Sequence, residues 1–100
     1  MKRKVIFAPL ARLELEEAAA WYEGQRPGLG DQFKADVNVT LQQILKTPEK
    51  FRPATAFTRK AVLKRFHKYS IYYSIEWDAI NVASVFHGSR NPDALRRRLD

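Results

Sequence analysis

Leu-Lys-Arg-Phe-His-Lys-Tyr-Ser-Ile-Tyr-Tyr-Ser-Ile-Glu-Trp-Asp-Ala-Ile-Asn-Val-Ala-Ser-Val-Phe-His-Gly-Ser-Arg-Asn-Pro, from Leu63 to Pro92, is the stretch on which the fold turns. Side chains alternate across a strand, so Tyr69, Ile71, Tyr73, Ile75 and Trp77 share one face and Ser70, Tyr72, Ser74 and Glu76 the other. Asp78 and Ala79 break this aromatic and β-branched run, and Ile80 to His87 resumes it. Strand, short turn, strand is the signature of a hairpin. An aromatic stripe at strand spacing, here Tyr69, Tyr73 and Trp77, predicts core packing.

Upstream of the hairpin, Lys4 to Ala8 reads as a short strand that Pro9 stops, because proline lacks the N–H a ladder needs. From Leu10 to about Gln25, Ala11, Leu15, Ala18 and Tyr22 recur at helical spacing, and Leu10, Leu13 and Trp21 form a second stripe. Glu14, Glu16 and Glu17 fall in the first half of this helix, where carboxylates suit the positive end of the macrodipole. Arg26-Pro27-Gly28 predicts a turn. Phe33, Val37, Leu41 and Ile44 then keep one face of a second helix to about Lys46, which Thr47-Pro48 ends. Two helices so closely joined form an antiparallel hairpin.

Lys50 to Arg59 has no period and reads as loop, and Lys60 to Phe66 reads as a strand with Val62 and Leu63 on opposite faces. Past the hairpin, Asn91-Pro92-Asp93 has the form of a helix start, with Asn91 as N-cap and Pro92 at the first helical position. Leu95 and Leu99 share a face of this short tail helix, and Arg96, Arg97 and Arg98 suit its negative end. The order strand, helix, helix, strand, strand, strand, short helix is an α+β pattern over residues 1–100. It predicts a single two-layer domain, with the helical hairpin on one face of a mainly antiparallel sheet. The other face is left partly open, lined by Tyr72, Ala83 or Val85, and an open face predicts a protein partner.

A chain of 100 residues buries one core, and 45% hydrophobic with 29% charged residues places it among ordinary globular chains. Eighteen Lys and Arg against eleven Asp and Glu give a net charge of +7, which favours an anionic partner such as nucleic acid, ribosome or acidic protein. There is no cysteine, so disulfides, thiolate metal sites and thiol nucleophiles are excluded. Val5 to Ala8 is too short for a signal-peptide core and no apolar run reaches membrane-spanning length, so the expected location is cytoplasmic.

No Gly-rich phosphate loop, Gly-x-Ser-x-Gly elbow or His-Glu-x-x-His helix is present. With two histidines and the carboxylates concentrated in the first helix, neither a metal site nor a cofactor is expected. What remains is a group of cations in and around the sheet: Arg59, Lys60, Lys64, Arg65, His67, Lys68, His87 and Arg90. RNA cleavage by 2'-hydroxyl attack needs a base, an acid and cations for the phosphate. His87 fits the acid or base, Arg65 and Arg90 the phosphate clamp, and Tyr69 a stacking or orienting role. Structural duties account for the same residues: His87 as a strand end, Arg90 as cover for the sheet edge, Lys60 and Lys64 as solvated strand positions.

Two motifs resemble the ParE, or plasmid stabilisation, branch of the RelE/ParE toxins of bacterial type II toxin-antitoxin systems. One is Pro9-x-Ala11-x-x-Glu14-Leu15-x-Glu17-Ala18-x-x-Trp21-Tyr22, similar to the family's first helix. The other is Leu63-x-x-Phe66-x-x-Tyr69-x-Ile71-x-Tyr73 followed by Val85-x-His87-x-x-Arg90-x-Pro92, similar to its closing strands. His67 departs from the pattern, which commonly has proline after that phenylalanine. The resemblance implies the same fold and a toxin neutralised by a cognate antitoxin lying along the helical hairpin and sheet. Leu10, Leu13, Trp21, Tyr72 and Val85 are the expected antitoxin contacts. It also implies one of two targets, DNA gyrase for ParE-like members, inhibited by binding, or mRNA on the ribosome for RelE-like members, which cleave it. Arg59, Lys60, Lys64, Arg65 and Arg90 are the expected target contacts, with Arg65, His87, Arg90 and Tyr69 as candidates for catalysis. A third reading is an inactive member kept as a protein-binding module. The uncovered apolar surface leaves self-association open.

Overall fold

A single left-handed glycine sets the helical hairpin. Helix α1 (Pro9–Gln25) ends before Arg26-Pro27, and Gly28, at φ 88°, turns the chain into α2 (Leu29–Lys46). The Glu23 carboxylate accepts the N–H groups of Gly28 at 2.9 Å and Gly30 at 3.0 Å, satisfying donors that the start of α2 leaves free. Ala11, Leu15 and Ala18 of α1 and Phe33, Val37, Leu41 and Ile44 of α2 are buried, as helical periodicity predicts; Tyr22 of the same stripe is half-buried, and Ala19, outside it, is buried. Gly30 permits the close approach, since a Cβ there would stand 2.5 Å from the Ala19 carbonyl oxygen.

The computed structural model describes residues 2–99. Its strands are β1 (Lys4–Phe7), β2 (Arg52–Pro53), β3 (Arg59–Val62), β4 (Tyr69–Ile75) and β5 (Ala79–His87), followed by helix α3 (Pro92–Leu99). They form one sheet in the order β1-β5-β4-β3-β2, with β1 parallel to β5 and every other pair antiparallel. Ala61, Ile71, Tyr73, Ile80 and Val82 meet the helical hairpin in one core. This is the α+β architecture expected from the element order.

Strand β5 does not keep one alternation. Tyr73 pairs with Val82 and Tyr72 with Ser84, so Ala83 is an extra residue, a β-bulge. The bulge flips the phase: Ile80 and Val82 lie on the helix-covered face before it, Val85 and His87 after it. Val85, expected on an open surface, is therefore buried at 2% exposure.

Three other expectations change. Trp77 is not core but 73% exposed, because β4 ends at Ile75 and a turn closed between Glu76 and Ala79 carries the indole outward. The strand expected over Lys60 to Phe66 stops at Val62: Leu63 still donates to the Tyr69 carbonyl, but the Arg65 and Phe66 amides turn to a carboxylate on α2, as described below. The stretch from Lys50 to Arg59, expected as loop, holds part of a 3₁₀ turn (Pro48–Lys50) and the two-residue β2, paired with β3.

Helix α3 lies against the sheet face opposite the hairpin, with Leu95 buried and sharing a groove with Lys60 and Tyr72. Its start is as the sequence predicts, with the Asn91 side chain accepting the Asp93 N–H at 2.9 Å. The face expected to be open is thus partly covered by the chain's own tail. Among the described residues, no helix is long and apolar enough to cross a membrane.

Candidate functional site

A cleft of about 630 Å³ lies where β4 begins and β5 ends, under the second half of α1. Trp21 and Tyr22 of α1, Arg65, Tyr69, His87 and Arg90 line it. Four of these, Arg65, Tyr69, His87 and Arg90, are the residues singled out for chemistry from the sequence. Lys68, His67 and Ser89 also line it.

Each side chain has a local reason for its place. Asp36, buried in α2, accepts the backbone N–H groups of Arg65 and Phe66, both at 2.9 Å, and so holds the loop that presents Arg65. The Arg65 guanidinium lies 5.6 Å from the Phe66 ring centroid. Phe66 itself joins an aromatic cluster with Tyr22 at 4.7 Å and Phe33 at 5.3 Å between centroids. Tyr69 and His87 are cross-strand partners, and their rings meet edge-to-face at 4.9 Å.

The His87 ring is held from its Nδ1 side. The Ser89 backbone N–H donates to Nδ1 at 3.0 Å, and the Ser89 hydroxyl lies 2.7 Å from the same atom. A backbone N–H can only donate, so Nδ1 is the ring nitrogen that accepts here. Burial pushes the Tyr69 phenol above its ordinary value; Tyr22 and Glu14 add to the rise and Arg90 opposes it. Burial likewise raises Tyr22. Both phenols are protonated at neutral pH.

Other expected site residues lie elsewhere. Arg59 is engaged internally, its guanidinium donating to the carbonyls of Phe51 at 2.6 Å and Glu49 at 3.1 Å. Lys60 points to the opposite sheet face, its ammonium 5.9 Å from the Tyr72 ring centroid, in a separate groove of about 300 Å³ under α3. Lys64 is exposed and lines neither space. Strand parity and a short β3 separate these cations, which their closeness in sequence conceals.

Leu10, Leu13 and Trp21 are 53%, 51% and 59% exposed, forming an outward apolar strip on α1 that runs to the cleft. Among the described residues, no three His, Asp or Glu side chains group as metal ligands. Sequence reasoning missed Asp36 and Glu14. Asp36 is a polar residue on the apolar face of α2, next to Val37, and that misplacement was the available signal.

The family model of the ParE toxin of the type II toxin-antitoxin system, parDE, matches residues 5–92. No curated protein matches the sequence. Among solved structures, a chain of the chromosomal ParDE toxin-antitoxin system from P. aeruginosa is similar, with a TM-score of 0.74 at 11% identity over 86% of this chain and 96% of that one. At that identity the likeness speaks for the fold alone, and the fold it supports is the one described above. Since the family model spans nearly all of β1 to the start of α3, the chain belongs to the ParE toxins of type II toxin-antitoxin systems.

Proposed function

We propose that this chain is a toxin that acts by binding DNA gyrase, without chemistry of its own, and that a cognate antitoxin neutralises it. The observation that carries the choice is the Ser89 N–H donated to His87 Nδ1 at 3.0 Å. Cleavage of RNA by its own 2'-hydroxyl requires a group with a free lone pair to take the hydroxyl proton. With Ser89 donating to Nδ1, that lone pair of His87 is already engaged. The Tyr69 phenol is kept protonated by burial, and Arg65, Arg90 and Lys68 are cations. Glu17 and His67 are the lining residues that still have a lone pair to offer, and no side-chain hydrogen bond among the described residues orients either of them. A cleft in which Arg65, Lys68 and Arg90 outnumber the single carboxylate of Glu17, beside an exposed indole, is suited to holding an acidic surface of a partner.

The test is supercoiling by purified gyrase with this chain at stoichiometric excess. Inhibition is expected, and full supercoiling overturns the reading. The competing reading, a ribosome-dependent mRNA endoribonuclease, has in its favour the meeting of Arg65, His87 and Arg90 in one cleft. It requires that His87→Ala and Arg65→Ala abolish mRNA cleavage on induction. Normal growth on induced expression would instead leave an inactive binding module. Antitoxin contact is assigned to Leu10, Leu13 and Trp21, exposed apolar side chains on the outward side of α1.

A further inference from the structure

Taking the cleft as the working surface, we propose that Glu14 is a positioning residue, which fixes the bulge at Ala83 and thereby sets the phase that delivers His87 to Tyr69. Strand β1 accompanies β5 only as far as the Phe7–Val82 pair, and the Ala8 N–H closes on the Val82 carbonyl at 2.9 Å. Among the described residues, no strand neighbours the outer edge of β5 beyond Val82. A side-chain pair takes the strand's place. Glu14 Oε1 accepts the Val85 N–H at 3.1 Å and the Ser84 hydroxyl at 2.9 Å. Arg98 of α3 donates to the Ala83 carbonyl at 2.8 Å and pairs with Glu14 at 2.9 Å.

The carbonyls of Val82 and Ala83 are consecutive, yet both are met from the outer edge, by Ala8 and by Arg98. A regular strand sends successive carbonyls to opposite edges, so only the bulge allows this. Glu14 and Arg98 together supply the acceptor and donor that the bulged edge demands. The pair is largely sheltered, with 13% and 28% of the two side chains exposed, so the groups it satisfies would not readily turn to water. Without the clamp, the run Asn81-Val82-Ala83-Ser84-Val85 has no internal preference for the bulge. The unbulged pairing would turn Val85 and His87 to the α3 face and Ser84 and Phe86 to the helices. Glu14 therefore acts on the cleft through β5 and does not line it.

The full-length labelled chain tests this by the proton cross-peak between the His87 and Tyr69 rings, whose centroids are 4.9 Å apart. In Glu14→Ala the cross-peak is expected to disappear while helical circular dichroism persists. Glu14→Gln keeps an acceptor for Val85 and should retain the cross-peak. Deleting Ala83 removes the bulge but leaves Val85 and His87 facing as they do now, so adding Glu14→Ala to that deletion should leave the cross-peak in place. If Glu14→Ala does not fold, the Gln variant and the deletion background carry the test. A wild-type cross-peak in Glu14→Ala overturns the proposal. So does loss of the cross-peak in Glu14→Gln, or loss or unfolding in the double variant, since either would make Glu14 a general stabiliser. None of these readouts depends on gyrase, so the positioning role and the proposed target fail separately.

Discussion

Asp36 holds Arg65 by its backbone and not by its charge. One oxygen, Oδ2, takes the N–H of Arg65 and that of Phe66 at 2.9 Å each, from a residue that is only 8% exposed. The arrangement ends β3 early and fixes the loop at the mouth of the cleft, leaving the guanidinium free to meet a partner.

Asp36→Ala strands both amides in a half-buried site, and the expected cost is about 2–4 kcal/mol of unfolding free energy. Asp36→Asn keeps an oxygen where both donors point, and should cost about 1 kcal/mol. Chemical denaturation measures the first quantity. Hydrogen exchange at the Arg65 and Phe66 amides measures the second effect, which should be faster in both variants and fastest in Ala. Unchanged exchange in Asp36→Ala would show that the loop is held by other contacts.

Tyr73 predicts a loss of stability in alkali. Its hydroxyl donates to the Pro48 carbonyl at 2.7 Å, and burial, opposed by the Arg59 charge, pushes the phenol up to about 12. The folded value lies above the unfolded one, so the folded chain holds the proton more tightly. The resulting stability is complete below about pH 10, the ordinary phenol value, and falls as pH rises through the folded value of about 12. Melting temperature measured from pH 8 upward should decline above pH 10, and Tyr73→Phe should flatten that decline. The same substitution costs about 1 kcal/mol at neutral pH through the bond lost to Pro48. An equally steep decline in Tyr73→Phe would assign it to other groups.

Gly30 predicts the opposite of a helix-propensity rule. In an exposed helix Gly→Ala stabilises, by about 1 kcal/mol. Here the new Cβ would stand 2.5 Å from the Ala19 carbonyl and about as close to Glu23 as a contact allows, at 3.0 Å from its Oε1. A backbone oxygen cannot step aside, so α1 and α2 must separate. Gly30→Ala should lower stability by about 1–3 kcal/mol, the range for overpacked sites. Gly24, with nothing within 4 Å of its would-be Cβ, is the control, and Gly24→Ala should be neutral or stabilising in the same denaturation assay.

The helices were legible because their apolar spacing and their punctuation agree: Pro9 at the start, Pro27-Gly28 between them, Thr47-Pro48 at the end. The hairpin was legible for the same reason, from its alternation. What escaped depends on partners distant in sequence. Nothing in Val82-Ala83-Ser84 announces a bulge, and the groups that meet it are Glu14 and Arg98. Trp77 continues the alternation of β4 perfectly, yet the hydrogen bonds between Glu76 and Ala79 end the strand before it. β2 is two residues long and is a strand only because β3 lies beside it. In the site, Arg65, His87 and Arg90 share a cleft because β4 and β5 pair in register, whereas Lys60, five residues from Arg65, faces the other side of the sheet. Residue type marked both as cations, and only the sheet decided which of them could act together.

Trp21 allows its proposed docking role to be told apart from a packing one. It is 59% exposed and touches its neighbour Tyr22 edge-on, with centroids 5.1 Å apart, while Leu15 on the same helix is 6% exposed. Truncating a largely exposed side chain removes little that folding had buried, so Trp21→Ala should change unfolding free energy by less than about 1 kcal/mol. Leu15→Ala leaves a cavity and should cost about 2–5 kcal/mol. Binding should respond in reverse order. An indole at the centre of an interface typically contributes at least about 2 kcal/mol, or roughly 30-fold in affinity, when it is covered by a partner. Titrating a cognate antitoxin into the purified wild type and Trp21→Ala measures that difference. Leu13→Ala, on the same outward strip, should weaken binding in the same direction. Unchanged antitoxin affinity in both variants would remove the α1 strip as the docking surface. A loss of stability in Trp21→Ala as large as that in Leu15→Ala would return the indole to the core.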